Sequence, residues 1–375
     1  MNLKKILIVA GSLDMGGVEK QLVHLAKIID KKKYLVHFTC TNPNPYYKTE
    51  LLMANCIIKV MPDPREAGTL KYCMHMLNLM KEEKYDIVHA HKLFHSGIDL
   101  FIACIAGVPK RIAHAHSTRD GHRHNKVIRA IYHCIMRGSI LCFGTDYIAC
   151  STEAGKYLYG TGILKNRNFK VIFNSVETIK YFLPNNDRLP FKKKDGWIYV
   201  THIGRFSYEK NHDFIIDIAK EAKKVDDKMM FILVGNGDLL NGIEERIRLE
   251  NLSDYVICLG LRTDVEDILK NSDAFILPSL YEGMPLTLIE AQAAGIQCLV
   301  ADHITCEADY GIGLFHKESI KISPKIWHEK LQHLVAQPMV DKNIVQEAID
   351  SKGFKVEDFA LNLCRIYSSG DVYEN

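Results

Sequence analysis

Short, mostly apolar strand-like runs alternate along this chain with stretches in which apolar positions return every three or four residues. Runs of the first kind occupy 6–10, 34–41, 86–91, 111–116, 147–150 and 170–173, then 197–203, 230–234, 255–258, 274–277 and 297–300. Strands apolar on both faces are those of a parallel sheet covered by helices on each side. Helical spacing is predicted at 18–29, 70–84, 98–106, 126–139, 213–222 and 356–367, and in a helix that starts near Pro285 and stops at Gly295. Regular strand–helix alternation is the pattern of a doubly wound α/β fold.

The alternation breaks once. Residues 184–196 are polar, proline-bearing and rich in lysine, and read as a linker. With 375 residues, two cores are expected. The predicted division is 1–183, the linker 184–196, a second domain 197–354, and a tail 355–375 whose helix returns to the first domain. A cleft between two such domains is the default place for a ligand.

Composition narrows the class. Apolar and charged fractions of 47% and 25% are those of a globular protein. Residues 6–9 are too few for a signal-peptide core, and no run nears the roughly 18 apolar residues of a membrane span, so a cytoplasmic location is expected. The eleven cysteines are scattered, without Cys-x-x-Cys. Several, among them Cys142, Cys150, Cys258 and Cys298, fall in apolar runs expected to be strands, as small hydrophobes in a reducing compartment. The net charge of +3 hides an asymmetry. Residues 1–185 carry 26 basic and 14 acidic side chains, or +12, and residues 186–375 carry 22 and 31, or −9. A basic half suits an anionic substrate or surface.

Candidate chemistry gathers where predicted strands end. Gly11-Ser12-Leu13-Asp14-Met15-Gly16-Gly17 fits neither G-x-G-x-x-G nor a P-loop, which argues against a dinucleotide or ATPase site. The loop reads equally as a ligand-approaching turn and as a plain turn needing positive φ at glycine. His89-Ala90-His91 and His114-Ala115-His116 each place two imidazoles on one strand face. Lacking cysteine or carboxylate neighbours, these pairs read first as buried, hydrogen-bonded histidines, with metal the minor reading and His116 the one reaching a substrate. Arg205 and Lys210 are cations in a polar loop before a helix. Gly235-Asn236-Gly237 reads as a tight turn slightly before a ligand contact. Glu282 precedes a helix start and Glu290 lies within that helix. Backbone N–H groups of Met284, Leu286 and Thr287 around Pro285 are expected to form an anion site there. Two cations, a helix start and two carboxylates are what a nucleotide-sugar requires.

Taken together, Gly204-Arg205 to Glu209-Lys210-Asn211, Leu233 to Gly237, and Pro278 to Pro285 with Glu290-Ala291 resemble the retaining glycosyltransferases of family four, with the GT-B fold. Upstream, Ala149-Cys150-Ser151 and Ile172-Phe173-Asn174-Ser175-Val176-Glu177 are similar to that family's ACS and IPNGVD segments. Phe173, Ser175 and Glu177 stand where proline, glycine and aspartate are usual. The segment from His114 to Ser117 is most similar to the exopolysaccharide and capsule subgroup.

The resemblance implies two Rossmann-like parallel-sheet domains facing a central cleft. It also implies sugar transfer from a nucleoside diphosphate sugar, UDP favoured over GDP, to a glycan or lipid-linked glycan in bacterial surface polysaccharide synthesis. Anomeric configuration would be retained, with no metal or other cofactor. Arg205 and Lys210 would hold the diphosphate and Glu290 the ribose. Gly235, Gly283, Met284, Pro285, Leu286 and Thr287 would complete the donor site, with Glu282 beside the transferred sugar. His116, or failing it His114, would face the anomeric centre. Gly16, Gly17, His91 and Asn174 would line the acceptor side. Nucleic acid is not an expected partner, because aromatic platforms are not interleaved with the basic residues. An NAD-dependent oxidoreductase is the alternative enzyme and a nucleotide- or nucleic-acid-binding protein the non-catalytic one. Basic residues Arg119, Arg123, Lys126, Arg129 and Arg137, with Val127, Ile128, Ile131, Tyr132 and Ile135, suggest docking on the anionic inner face of the cell membrane.

Overall fold

A computed structural model describes residues 3–120, 126–184 and 189–369. Two compact units emerge: Met1–Ser175 with Val356–Asn375, and Val176–Lys355. The first changeover thus falls at Ser175, before the polar stretch 184–196, of which 185–188 lie outside the described residues.

The first unit is built on a parallel sheet of β1 (Lys4–Val9), β2 (Tyr34–Cys40), β3 (Ile57–Val60), β4 (Ile87–Ala90), β5 (Lys110–Ala115), β6 (Asp146–Ala149) and β7 (Phe169–Val171). Their spatial order is β3-β2-β1-β4-β5-β6-β7. Ile6, Leu7, Ile8 and Val9 of the central strand are wholly buried, as a strand covered on both faces must be. The helix Gly17–Ile28 lays Leu22, Val23, Leu25 and Ala26 on this sheet. The last helix, Val356–Ser368, completes the same core with Phe359, Ala360, Leu363 and Tyr367. Lys110 Nζ holds its end by donating to the Ser369 carbonyl at 2.7 Å.

The second unit contains β8 (Ile198–Ile203), β9 (Met229–Val234), β10 (Val256–Cys258), β11 (Ala274–Leu277), β12 (Gln297–Ala301) and β13 (Phe315–Glu318), in the order β10-β9-β8-β11-β12-β13. The recorded pairings are parallel. The helix His212–Lys224 buries Ile215, Ile216, Ile218, Ala219 and Ala222 at helical spacing. Trp327 of the helix Pro324–Val335 packs edge-on against Phe214 and donates its Nε1–H to the Ser319 carbonyl at 2.9 Å.

Several expectations are corrected. The edge strands β3 and β13 escape the apolar-run reading because they are short and half exposed. Cys142 lies on the helix Lys126–Phe143 and is exposed, not in a strand. Pro285 sits at the N-cap rather than inside the first turn, and the helix runs Leu286–Ala293. Among the described residues, no helix is long and apolar enough to cross a membrane.

Candidate active site

In the second sheet the strand order reverses between β8 and β11, and open α/β sheets bind ligands at the carboxyl ends of strands at such a point. Two loops leave the sheet here and are stitched together. Leu280 N donates to the Glu209 carbonyl at 2.7 Å, and Asn211 Nδ2 donates to the Pro278 carbonyl at 3.1 Å. Lys210 Nζ donates to Glu282 Oε1 at 2.6 Å. Both side chains are largely shielded, at 16% and 14% exposure, so the pair is held in a reduced dielectric. Arg205 is exposed and pairs with no carboxylate among the described residues, which leaves its planar fork available to an anion.

Glycines shape the loop around these cations. A Cβ on Gly204 would stand 3.1 Å from Lys210 Cδ, so the lysine stem passes where a side chain would be. Gly235 has φ +143° and presses on the loop directly, a Cβ there falling 2.0 Å from the Gly204 carbonyl oxygen. Gly237 does the same to the Phe206 carbonyl, at 2.4 Å. The segment 235–237 is therefore more than a turn, since it seats the loop that carries Arg205.

No N-cap side chain covers the start of the helix Leu286–Ala293. Thr287 Oγ1 is shielded from solvent and has no partner. Such an end, with its free N–H groups and dipole, attracts a phosphate. Gly283, Met284, Pro285 and Leu286 are buried around it. Glu290, one turn further in, is only 4% exposed. Burial, with the Glu290 charge adding to it, raises the phenol pKa values of Tyr181 and Tyr310 well above the usual range. Gln292 braces the far end of the same helix, donating to the Ala308 carbonyl at 2.7 Å and accepting from Tyr310 N at 2.9 Å.

In the first sheet the reversal lies between β1 and β4. The loop 11–17 follows β1, and its positive φ belongs to Leu13, at 57°, while Gly16 is extended at −165°. The glycines of this loop are therefore not there for a positive φ. Leu13 is held by Tyr47 N donating to its carbonyl, and Asp14 Oδ1 accepts from Asn42 Nδ2 at 2.9 Å. Gly16 and the exposed Gly17 open the first helix. Asn174 is 6% exposed next to Ser175. Ser175, standing where the family has glycine, is locked to Gln21 by its backbone N, its carbonyl and its hydroxyl, at 2.7, 2.7 and 2.8 Å.

The two histidine pairs converge because β4 and β5 are neighbours. His89 and His114 rings stack at 5.3 Å, and His114 and His116 at 4.0 Å. His91 Nδ1 lies 2.8 Å from His116 Nε2, and His89 Nδ1 lies 2.8 Å from the Tyr367 hydroxyl. His114 is wholly buried with no partner on either nitrogen. The hydrogen-bonded reading thus describes three of the four rings and not His114. His116 does not stand alone toward a substrate, since its Nε2 is engaged by His91. Burial lowers all four pKa values, His89 and His116 to about 3, so the rings are neutral at ordinary pH.

The expected donor residues therefore collect at one end of the second sheet, with Glu290 a turn inside its helix. His91, His116, Gly16 and Gly17 collect at the corresponding end of the first. What the sequence reading missed is the single four-histidine cluster. The available signal was that H-x-H ends two consecutive strands, which a doubly wound sheet places side by side.

The chain as a whole is similar to known proteins. The model of Glycosyltransferase Family 4 matches residues 15–180, and that of Glycosyl transferases group 1 matches residues 185–348. The EpsF protein of Bacillus subtilis is 28% identical over 97% of this chain and 96% of its own. The N,N'-diacetylbacillosaminyl-diphospho-undecaprenol alpha-1,3-N-acetylgalactosaminyltransferase of Campylobacter jejuni is 35% identical, over 75% of this chain and 77% of its own. Among solved structures, Anabaena HepE in complex with UDP and glucose superposes with a TM-score of 0.76. It covers 98% of this chain and 100% of its own, at 18% identity, a likeness of fold. The chain belongs to glycosyltransferase family four, and its two parallel-sheet units are the Rossmann-like domains of the GT-B fold.

Proposed function

We propose that this glycosyltransferase moves a sugar, with retention of anomeric configuration, from a UDP-sugar to a lipid-linked glycan in bacterial surface polysaccharide synthesis. The observation that carries the donor half is the Lys210–Glu282 pair beside the uncapped start of the helix that holds Glu290. Arg205 and the remaining donors of Lys210 take the diphosphate, the N–H groups of Met284, Leu286 and Thr287 take phosphate and sugar, and Glu290 takes the ribose hydroxyls. Glu282 serves the sugar and at the same time orients Lys210. As the glycosidic bond breaks, negative charge builds on the departing phosphate. Fixed cations and a helix start aimed there stabilise it without reorganising, which is why no metal is required for the step. His116 faces the reacting carbon as a neutral ring, and Gly16, Gly17, His91 and Asn174 form the acceptor side.

Two relatives support the acceptor class by their names. One acts on a diphospho-undecaprenol sugar, and an Escherichia coli enzyme, 26% identical over 77% of this chain, uses UDP-Gal and a diphosphoundecaprenol acceptor. A lipid-bound acceptor makes a peripheral position on the inner face of the cell membrane useful. Val127, Ile128, Ile131 and Ile135 form an apolar stripe 56–66% exposed on the helix Lys126–Phe143. The basic residues contribute less than their number suggests. Arg129 pairs with Asp120, and Arg137 donates to the Leu158 and Tyr157 carbonyls. Arg123 lies outside the described residues. Docking therefore rests more on apolar insertion than on charge.

The test is a thermal-shift panel of UDP-, GDP- and ADP-sugars, followed by transfer to an undecaprenyl-diphosphate glycan with the product anomer read by NMR. A ligand at a hundred times its Kd stabilises by about 2.7 kcal/mol, a visible shift. Stabilisation by UDP-sugars, an α-linked product from an α-donor, and turnover undiminished by EDTA are expected. Stabilisation by none of the sugars, an inverted product, or activity that EDTA abolishes and Mg²⁺ or Mn²⁺ restores overturns the corresponding part.

A further inference from the structure

We propose that His89, His91 and His114 bind one divalent transition-metal ion of the zinc class, held as a structural element inside the first sheet. The inference does not rest on the sugar-transfer reading, and the site lies in the other unit from the donor residues. One ring nitrogen from each of the three lies within 4.8 Å of the others. His89 Nε2, His91 Nε2 and both nitrogens of His114 are shielded from solvent and have no partner among the described residues. A buried polar atom left in that state costs on the order of 1–3 kcal/mol, so the cluster is expensive unless something fills it.

In two of the three rings, His89 and His91, the opposite nitrogen argues for an ion. A metal-bound histidine nearly always has its second ring nitrogen held by another polar group, which fixes tautomer and ring angle. Here His89 Nδ1 is bonded to the Tyr367 hydroxyl and His91 Nδ1 to His116 Nε2, so in both rings it is Nε2 that is left to ligate. Metal–nitrogen bonds of about 2.0–2.1 Å set ligand atoms roughly 3.4 Å apart, so the rings must close by about an ångström. Imidazoles alone, without carboxylate, suit zinc, cobalt, nickel or copper over magnesium or calcium.

His89 and His114 are wholly buried and Tyr367 is 1% exposed. A closed site of this kind is loaded during folding and does not exchange freely with a chelator, so it is compatible with turnover in EDTA. Tyr367 comes from the helix Val356–Ser368, so an ion here would fasten the end of the chain to β4 and β5.

The full chain is refolded from guanidinium with Zn²⁺, with Co²⁺ or with EDTA, and metal is counted by elemental mass spectrometry alongside protein as purified. We expect about one ion per chain, the visible bands of low-coordinate cobalt, and a higher melting temperature than in EDTA. Tyr367→Phe should keep the spectrum while weakening affinity by about 10- to 100-fold. The double variant His89→Gln/His114→Gln should lose the spectrum. Folded wild-type protein that carries no ion in any preparation overturns the proposal, whatever the variants do. So does a cobalt spectrum that survives unchanged in the double variant.

Discussion

Lys210 and Glu282 stand 72 positions apart in the chain and meet at 2.6 Å. Each therefore sets the other's position. Removing one partner of a largely shielded pair leaves an uncompensated charge, whereas removing both does not. A double-mutant cycle with Lys210→Ala and Glu282→Ala should give a coupling of about 0.5–3 kcal/mol in unfolding free energy. Strictly additive single losses would mean that the contact does no energetic work.

Glu290→Ala should weaken UDP binding by about 10- to 150-fold, the worth of a charge-assisted hydrogen bond of about 1.5–3 kcal/mol. Calorimetry with UDP, on a variant whose circular dichroism matches wild type, is the measurement. Unchanged affinity would remove Glu290 from the donor site.

Gly235→Ala should destabilise the second unit by about 1–3 kcal/mol and weaken donor binding as well. Its φ of +143° strains any side chain, and its Cβ would strike the Gly204 carbonyl and push the Arg205 loop outward. A variant with wild-type melting and wild-type UDP affinity would show that the contact yields without consequence.

Acid should destabilise the second unit through His212. Burial, with the Lys210 charge adding to it, lowers its pKa to about 3. His202 stands edge-on at 4.8 Å and Phe206 is stacked at 4.1 Å. Below the unfolded value near 6.5 the unfolded chain takes up a proton that the folded ring refuses, so stability falls as pH drops from about 6.5 toward 3. The loss from this ring is about 1.4 kcal/mol per pH unit. Urea midpoints measured between about pH 7 and pH 5 should fall less steeply in His212→Phe. Equal slopes would mean that His212 does not titrate on unfolding.

Liposome co-sedimentation tests the apolar stripe on the helix Lys126–Phe143. Full burial of a Val or Ile side chain is worth about 1.5–3 kcal/mol, so Ile128→Asp/Ile131→Asp should lower vesicle binding by more than tenfold. High salt should matter less, because Arg129 is already paired. Wild-type protein that stays in the supernatant with anionic vesicles at low salt would end the membrane assignment.

Much of the architecture is readable because parallel strands buried on both faces leave unbroken apolar runs. Residues 229–234 of β9 are all buried and all apolar. β3, with an exposed Ile57 and Val60, leaves no such mark, and neither does β13, Phe-His-Lys-Glu at a sheet edge. Within the site, Lys210 and Glu282 each stand out in the sequence, but their pairing does not, because it depends on β8 lying beside β11. Gly235 reads as a turn, since a clash with a carbonyl 31 positions upstream leaves no local trace in sequence. The four histidines likewise read as two pairs, and only strand adjacency makes them one cluster.

The helix Val356–Ser368 has a consequence for how the protein is made. The patch of the first core that Phe359, Leu363 and Tyr367 cover is already exposed when Ser175 is translated. It must then wait for the whole of Val176–Lys355 to be synthesised, on the order of ten to forty seconds at ordinary elongation rates. Only at the end of that interval does the second unit have its whole sequence and the means to fold as a unit of its own, and until then the first holds an open seam along Leu22, Val23 and Tyr34. Of the two units, the one made earlier is thus the last to close. Its nascent form offers chaperones a sticky surface that the finished enzyme no longer has.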